Sequence, residues 1–455
     1  MNGAADHQPE PVTGPGLVPP AAVYLHLPFC FHKCHYCDFY SVVDDPRPAA
    51  PVGPPPGPDS GSPPGPHPAR PDRVDVAEPP PPLPPPAPRD RQPAFTRAII
   101  AELDTAARRL RAAGTPPRPS TVFAGGGTPT FLRPNLWARL LDTLHAGGWL
   151  DDATEFTVEA NPETVTEPLM QQLADGGVNR VSIGAQSFSP SSLAALERWH
   201  RPESVARAVT ACRAAGIDNL SLDLIFAVPG QTLAMLDNDL DRLLELKPDH
   251  LSTYGLTYEP QTPLAARLRV GRVTPVGEDL ERAMYERVLE RLAAAGFAHY
   301  EVSNWARVDP AGRRDFRCRH NLTYWNNGDW LGFGPGAASH AAGVRWRNRP
   351  NLDAYTAWWG TDANTPPRPG TPGPPLEDVE RLDADDRVGE RFMLGLRLRE
   401  GLDEAWIDAH VPPTHRRAAA LEELTGLGLL ESRGRRRRLT PRGLMVADSV
   451  IAKLL

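Results

Sequence analysis

Cys30, Cys34 and Cys37 lie within eight residues in the stretch YLHLPFCFHKCHYCDFYS, while the rest of the 455-residue chain holds only Cys212 and Cys318. Three thiols at that density can hold metal. A structural zinc wants four ligands, and His26, His32 or His35 could supply the fourth, so the inventory alone leaves zinc open. Zinc ligands usually come as two separated pairs, whereas this is one tight loop. A four-iron cluster on three thiolates leaves one iron uncovered, and an uncovered iron can take a chelating small molecule. On that chemistry the missing fourth cysteine is the working feature of the site.

Such a loop needs elements to place it. From Ala21 to about Thr257, short apolar runs alternate with amphipathic helical patterns. AVYLHLPF, TVFAGGG, TEFTVEAN, RVSIGAQS, NLSLDLIFAVPG and HLSTYGLT read as strands, and stretches such as 94–113 (AFTRAIIAELDTAARRLRAA) read as the helices between them. Repeated strand–helix units mean a parallel sheet, and six of them predict an α/β fold with an open, partial (β/α)6 barrel over residues 21–275. In that architecture chemistry gathers at the carboxyl ends of the strands. The cysteine loop, GGGTPT, VEANPE, GAQSF and FAVPGQT all fall there, so they are expected to converge.

The remainder sorts by composition. Residues 1–20 read as a disordered N-terminus, and 45–93, where many of the 53 prolines crowd, as a disordered Pro-rich insertion in the barrel. Residues 276–362 form an accessory region with a helix, the strand-like FAHYEVSNWA and an aromatic, Gly-rich block from Cys318 to Trp346. A Pro/Gly linker (363–377) precedes a C-terminal unit (378–455) whose helix, basic hairpin and helix predict a small winged-helix-like domain. The net charge of −7 argues against bulk nucleic-acid binding, and the run Arg435 to Arg438 reads as a solvated hairpin tip. An odd cysteine count and no basic-then-apolar leader before Tyr24 predict a reducing, cytoplasmic setting. No apolar run approaches the roughly 18 residues of a membrane span, which leaves peripheral membrane contact open.

With Tyr36 before its last cysteine and a strand before its first, C-x3-C-x2-C resembles the radical S-adenosylmethionine (SAM) superfamily. YLHLPFC, GGGTPT, GAQSF, LDLIFAVPGQT and HNLTYW extend the resemblance, from about Tyr24 to Leu455, to the HemN-like family of oxygen-independent coproporphyrinogen III oxidases and, within it, to a heme-chaperone branch. The resemblance implies a [4Fe-4S] cluster on Cys30, Cys34 and Cys37, whose open iron takes the amino and carboxylate groups of SAM. It places Tyr24, Tyr36, Gly126, Gly127, Thr128, Glu159, Gln186, Arg198, Asp223 and Gly255 on SAM. It places heme at His320, Asn321, Tyr324 and Trp325, with His340 a further candidate; Cys318 and Cys212 read as inert core thiols. The decarboxylases resemble C-x3-C-x2-C-x-C, and Phe39 stands where their extra cysteine falls. The expected function is therefore a heme chaperone that hands heme to an acceptor hemoprotein, such as one of the respiratory chain at the membrane. The alternative is radical decarboxylation of coproporphyrinogen III to protoporphyrinogen IX; a third reading is a winged-helix regulator that uses the cluster as a redox sensor.

Overall fold

Six apolar runs between Ala22 and Gly255 are too continuous to leave a face in water, and they pair with one another in parallel. The computed structural model describes residues 19–44, 90–360 and 376–455. Strands β1 (Ala22–Leu27), β2 (Thr121–Gly126), β3 (Glu155–Ala160), β4 (Arg180–Gln186), β5 (Asn219–Phe226) and β6 (His250–Gly255) follow one another across the sheet in chain order. The crossovers are helices α1 (Gln92–Ala112), α2 (Pro134–Ala146), α3 (Glu167–Asp175), α4 (Pro202–Ala214) and α5 (Leu233–Glu245). Thr166 and Thr232 start α3 and α5 by accepting hydrogen bonds from the N–H groups of Leu169 and Met235, caps worth about 1 kcal/mol each. Each helix turns an apolar stripe inward; α1 buries Phe95, Ile99, Leu103 and Leu110 against the strands, at about 1.5–3 kcal/mol per large side chain.

The sheet does not close. Beyond β6 and helix α6 (Glu278–Ala294) the chain reverses, so FAHYEVSNWA becomes two antiparallel strands, β7 (Phe297–Glu301) and β8 (Asn304–Arg307), with β8 against β6 and β7 at the edge. On the other flank β9 (Trp330–Phe333) pairs in parallel with β1. Strands β10 (Ala338–Ala341), β11 (Val344–Asn348) and β12 (Leu376–Arg381) continue outward antiparallel, giving one mixed sheet of 12 strands among the described residues. Two boundaries read from composition shift. Residues 376–381 join the sheet rather than a linker or the C-terminal unit, because Arg347 of β11 pairs with Glu377 (2.6 Å) and Asp378 (2.8 Å). Helix α1 starts at Gln92, whose amide is held by Phe131 O and Arg133 N, so the last residues assigned to the insertion are helical. Residues 1–18, 45–89 and 361–375 lie outside the described residues.

A buried acid ties the first crossover to the outer strands. Glu102 of α1 accepts from Gly334 N (2.9 Å), Asn348 Nδ2 (2.9 Å) and the hydroxyl of Tyr355 (2.6 Å) in helix α8 (Leu352–Trp359), the helix that follows α7 (Arg319–Trp325). Past Asp383 come helices Ala384–Gly395, Glu404–His410 and Arg416–Gly426, a hairpin (Leu430–Arg433 with Arg436–Leu439) and short terminal helices around a separate core of Phe392, Leu402, Leu424, Leu439 and Ile451. Among the described residues no helix is long and apolar enough to cross a membrane.

Candidate functional site

Three consecutive glycines end β2 because the cysteine loop lies on their backbone. A Cβ at Gly127 would come within 2.6 Å of Phe29 O, and Gly126 holds φ +107°, where side chains are strained. With the side chains gone, Gly127 N donates to Leu27 O (2.8 Å) and Thr128 N to Phe29 O (2.7 Å). That docking brings Thr128 Oγ1 to 3.7 Å from Cys30 Sγ. The loop is closed by parallel pairing of Phe29–Cys30 with Val42–Val43 and by Cys37 N donating to Cys34 O (3.2 Å). Arg198, half-buried, donates from Nη2 to Gly184 O (2.9 Å) and sets Nη1 3.6 Å from Cys34 Sγ, a cation beside the thiol. Burial pushes the Cys30 and Cys37 thiols up, Cys37 to about 11, so a metal taking them must displace protons. Among the described residues no three His, Cys, Asp or Glu side chains converge as ligands of one ion. Thiolates on different irons of a cluster need no such convergence. The histidines that zinc would require are otherwise occupied or turned away: His26 bonds Tyr40 O and Tyr24, His35 is buried beside Glu197, and His32 faces solvent.

Beside the loop opens a cavity of about 420 Å³. Tyr36, Gly126, Gly127, Thr128, Glu159, Gln186, Arg198, Asp223 and Gly255 all line it, together with Cys37 and Phe39, so segments from all six parallel strands do converge. Its floor is acidic. Glu159 accepts from Gly126 N (3.2 Å), and burial, then the charge of Asp223, pushes its carboxyl up to about 7. Asp223 accepts from Ser182 Oγ (3.1 Å), and burial raises it too. Two desolvated acids side by side favour a cationic guest, whose charge restores both to their ionised form. Gln186 reaches the cavity by adopting φ +60°, a strained value for a residue with a side chain. The turn behind it wraps the buried carboxylate of Asp239, which accepts from Ser187 Oγ (2.6 Å) and Phe188 N (2.7 Å). Sequence reasoning missed Asp239, which in TLAMLDNDLDRLLEL looks like one more polar position of a surface helix. It also did not single out Asn161 of VEANPE, Ser182, Tyr254 beside Gly255, or Glu259, which line the cavity too.

Tyr24 alone of the expected SAM set is not in the cavity lining. Its hydroxyl bonds His26 Nδ1 (3.1 Å), two residues further along the strand. Because His26 Nε2 must donate to Tyr40 O (2.8 Å), Nδ1 is bare and Tyr24 is the donor; burial lowers His26 to about 4 and keeps it neutral.

The expected heme residues lie at the opposite end of the strands. Glu155, first residue of β3, accepts from Arg319 N (2.8 Å) and His320 N (3.1 Å), capping α7 from outside its own segment. Thr121, first residue of β2, shares a hydrogen bond with His320 Nδ1 (2.9 Å), and the hydroxyl of Tyr324 shares one with Nε2 (2.7 Å). The imidazole is 1% exposed, stacks on Phe123 (5.0 Å) and is lowered to about 3 by burial. Both ring nitrogens of His320 are thus engaged by side chains. Asn321 and Trp325 are half-buried, and Trp325 Nε1 is buried without a partner. His340 donates to Gly328 O (3.1 Å). Cys318 is buried, its thiol pushed up to about 12, and Cys212 packs on Met170, so both behave as core thiols. The six residues of β2 separate Thr121 from Gly126 by about 17 Å, at roughly 3.3 Å per residue, and Tyr24, its ring 6.5 Å from that of His320, stands between the two expected sites. In the basic hairpin, Arg436, Arg437 and Arg438 pair with Glu400, Glu404 and Glu431, so little free charge remains for a nucleic acid.

Comparison with known proteins agrees with this layout. The radical SAM superfamily profile matches residues 24–243 and the HemN C-terminal domain profile residues 382–446. A protein of Mycobacterium tuberculosis named heme chaperone HemW is 36% identical over 98% of each chain. One of the same name from Bacillus subtilis is 30% identical over 84% of this chain and 85% of its own. The solved coproporphyrinogen III oxidase HemN of Escherichia coli superposes with a TM-score of 0.71 over 96% of this chain and 90% of that one, at 20% identity, which speaks for the fold alone.

Proposed function

The chain belongs to the HemN-like branch of the radical SAM superfamily, and on that premise we propose that it holds a [4Fe-4S] cluster, SAM and heme and transfers the heme to an acceptor hemoprotein. The observation that carries the cofactor part is the single cavity onto which nine of the SAM residues converge, with Cys37 in its wall. When bound, the cluster supplies an iron open to the amino and carboxylate groups of SAM. The chain's own residues do the rest. Arg198 steadies the Cys34 thiolate by its charge. Glu159 and Asp223 receive the cationic part of SAM, and the bare backbone of Gly126 and Gly127 lets the methionine portion approach.

Phe39 favours carriage over decarboxylation: at the cavity edge, 61% exposed, it offers no thiol where the decarboxylase pattern has one. The relatives named heme chaperone HemW support the same choice. Heme then belongs with the α7 segment, and coordination by His320 requires the imidazole to give up Tyr324 or Thr121 first. The acceptor is a hemoprotein such as one of the respiratory chain, met by peripheral contact at the membrane from a cytoplasmic protein. The deciding experiment offers heme and coproporphyrinogen III in parallel to the anaerobically reconstituted, reduced, SAM-loaded protein. Stoichiometric Soret absorbance without protoporphyrinogen is the expected result; turnover of coproporphyrinogen III would make the protein a decarboxylase.

A further inference from the structure

Trp325, the last residue of α7, is flanked by arginines from the C-terminal region. Arg391 Nη1 donates to Trp325 O (3.4 Å), and the Arg397 guanidinium lies 5.8 Å from the indole ring. The stretch Arg397–Leu398–Arg399 then runs beside β7, with Arg399 N bonded to Tyr300 O (3.0 Å). Two more arginines alternate on the hairpin strand Arg436–Leu439: the charge of Arg436 reaches Arg391, and that of Arg438 reaches Arg399. Three of the five have carboxylate partners, all on exposed acids: Arg397 with Asp448, Arg436 with Glu400, Arg438 with Glu431.

Arg391 and Arg399 have none among the described residues, and Arg399 Nη1 is buried without any hydrogen-bond partner. Burial, then the neighbouring arginine, lowers the pKa of both guanidiniums; Glu400 and Glu431 attract them only at a distance. A half-buried cation facing another cation is unfavourable unless an anion completes it. Glu301, the buried acid that feels Arg397, is itself pushed up to about 7 by burial and makes a poor counter-ion. The unpartnered Trp325 Nε1 adds a neutral donor at the same place.

We propose that Arg391 and Arg399, with Trp325 Nε1, receive the carboxylates of a porphyrin, so that the seam between α7 and the C-terminal helices is the propionate-recognising edge of the heme site. This rests on the heme reading above and adds to it the part of the ligand that is recognised and the residues that do so. Guanidiniums suit carboxylates because they present paired donors in one plane, and an indole beside them offers a face to a flat macrocycle.

The test titrates the full-length, cluster-loaded protein with hemin and with hemin dimethyl ester, which keeps the ring and iron but lacks the carboxylates, reading the Soret band. Wild type is expected to bind hemin about tenfold more tightly than the ester, equivalent to about 1.4 kcal/mol. Arg391→Gln and Arg399→Gln should each erase most of that preference while leaving ester affinity unchanged, and Arg387→Gln, exposed on the same helix as Arg391, should alter neither. Equal affinity of wild type for hemin and ester overturns the inference while the heme reading stands. No Soret change with either ligand removes both. Because the ester comparison is made on wild type, the inference stays falsifiable even if an arginine variant fails to fold.

Discussion

At the carboxyl ends of β2 to β5 polar groups lack protein partners, strained φ angles persist and two acids crowd together; at the amino ends of β2 and β3, the groups around His320 are satisfied and closed. Both ends are built from the same strands, so the contrast comes from what each end leaves unfinished. Arg198 keeps a buried Nε without a partner and Glu159 sits near its titration midpoint, whereas His320 has both ring nitrogens and its N–H bonded. A group left short of partners at an open cavity is one that a ligand completes; a group fully bonded in the core holds the fold. The difference teaches that His320 is structural in this state, so that on the proposed heme reading it must be released before it can act.

Four experiments press on that contrast. The largest effect is expected from Cys34→Ala, which should abolish the visible absorbance of the reconstituted cluster while leaving secondary structure by circular dichroism unchanged. If the cluster persists, the cavity end is not organised around three thiolates. Glu155→Ala should damage the closed end instead. It strips the acceptor from the buried His320 N–H, the partly buried Arg319 N–H and the Cys318 thiol, a loss of roughly 2–4 kcal/mol by urea denaturation, with SAM affinity in the folded protein little changed.

A pH series sharpens the comparison further. With its pKa at about 7 rather than the ordinary 4.5, Glu159 takes up a proton as pH falls through 7, so SAM affinity should drop below that point, approaching tenfold per unit at most. The stability sign is opposite. A carboxyl raised by burial stabilises the protonated fold, so the unliganded protein should lose up to about 3 kcal/mol as pH rises from about 4.5 to 7, and SAM should restore part of it. Glu159→Gln should flatten both profiles; a slope in SAM binding that survives would assign it elsewhere. The smallest effect is expected from Asp239→Asn, about a three- to tenfold loss of SAM affinity as the turn after Gln186 loosens, in line with one charged hydrogen bond. In a Gln186→Ala background the same change should cost almost nothing, because Asp239 acts through Gln186. Additive losses would make Asp239 merely a fold residue.

Much of this could be read from the chain alone. The six parallel strands and their crossover helices follow from apolar periodicity, and once the strand ends are located the cavity residues follow from their motifs. The three cysteines need only their spacing. What stayed hidden depends on register and on partners far away in sequence. Tyr24 and His26 are two residues apart on one face of β1, but which of them donates in their bond depends on Tyr40 O fixing the tautomer. The clamp on His320 needs the first residues of β2 and β3, and neither Thr121 nor Glu155 belongs to a motif. Residues 376–377 read as linker and 378–381 as the start of the C-terminal unit because LEDVER has no apolar alternation; Arg347 on the neighbouring strand supplies what hydrophobic pairing does not. Arg391 and Arg399 are two arginines among many until burial shows them to lack acids.

The partners of Glu102 have a consequence in time. They lie 232, 246 and 253 residues further along the chain, so on a ribosome adding about 5–20 residues per second this acid waits roughly 10 to 50 seconds for the last of them. Until then α1 cannot seal its side of the sheet without leaving a carboxylate in the core. The amino-terminal half must therefore remain an unfinished, hydrated intermediate until the outer strands are synthesised, and its final closure at neutral pH should draw in a fraction of a proton, since burial moves Glu102 up to about 7.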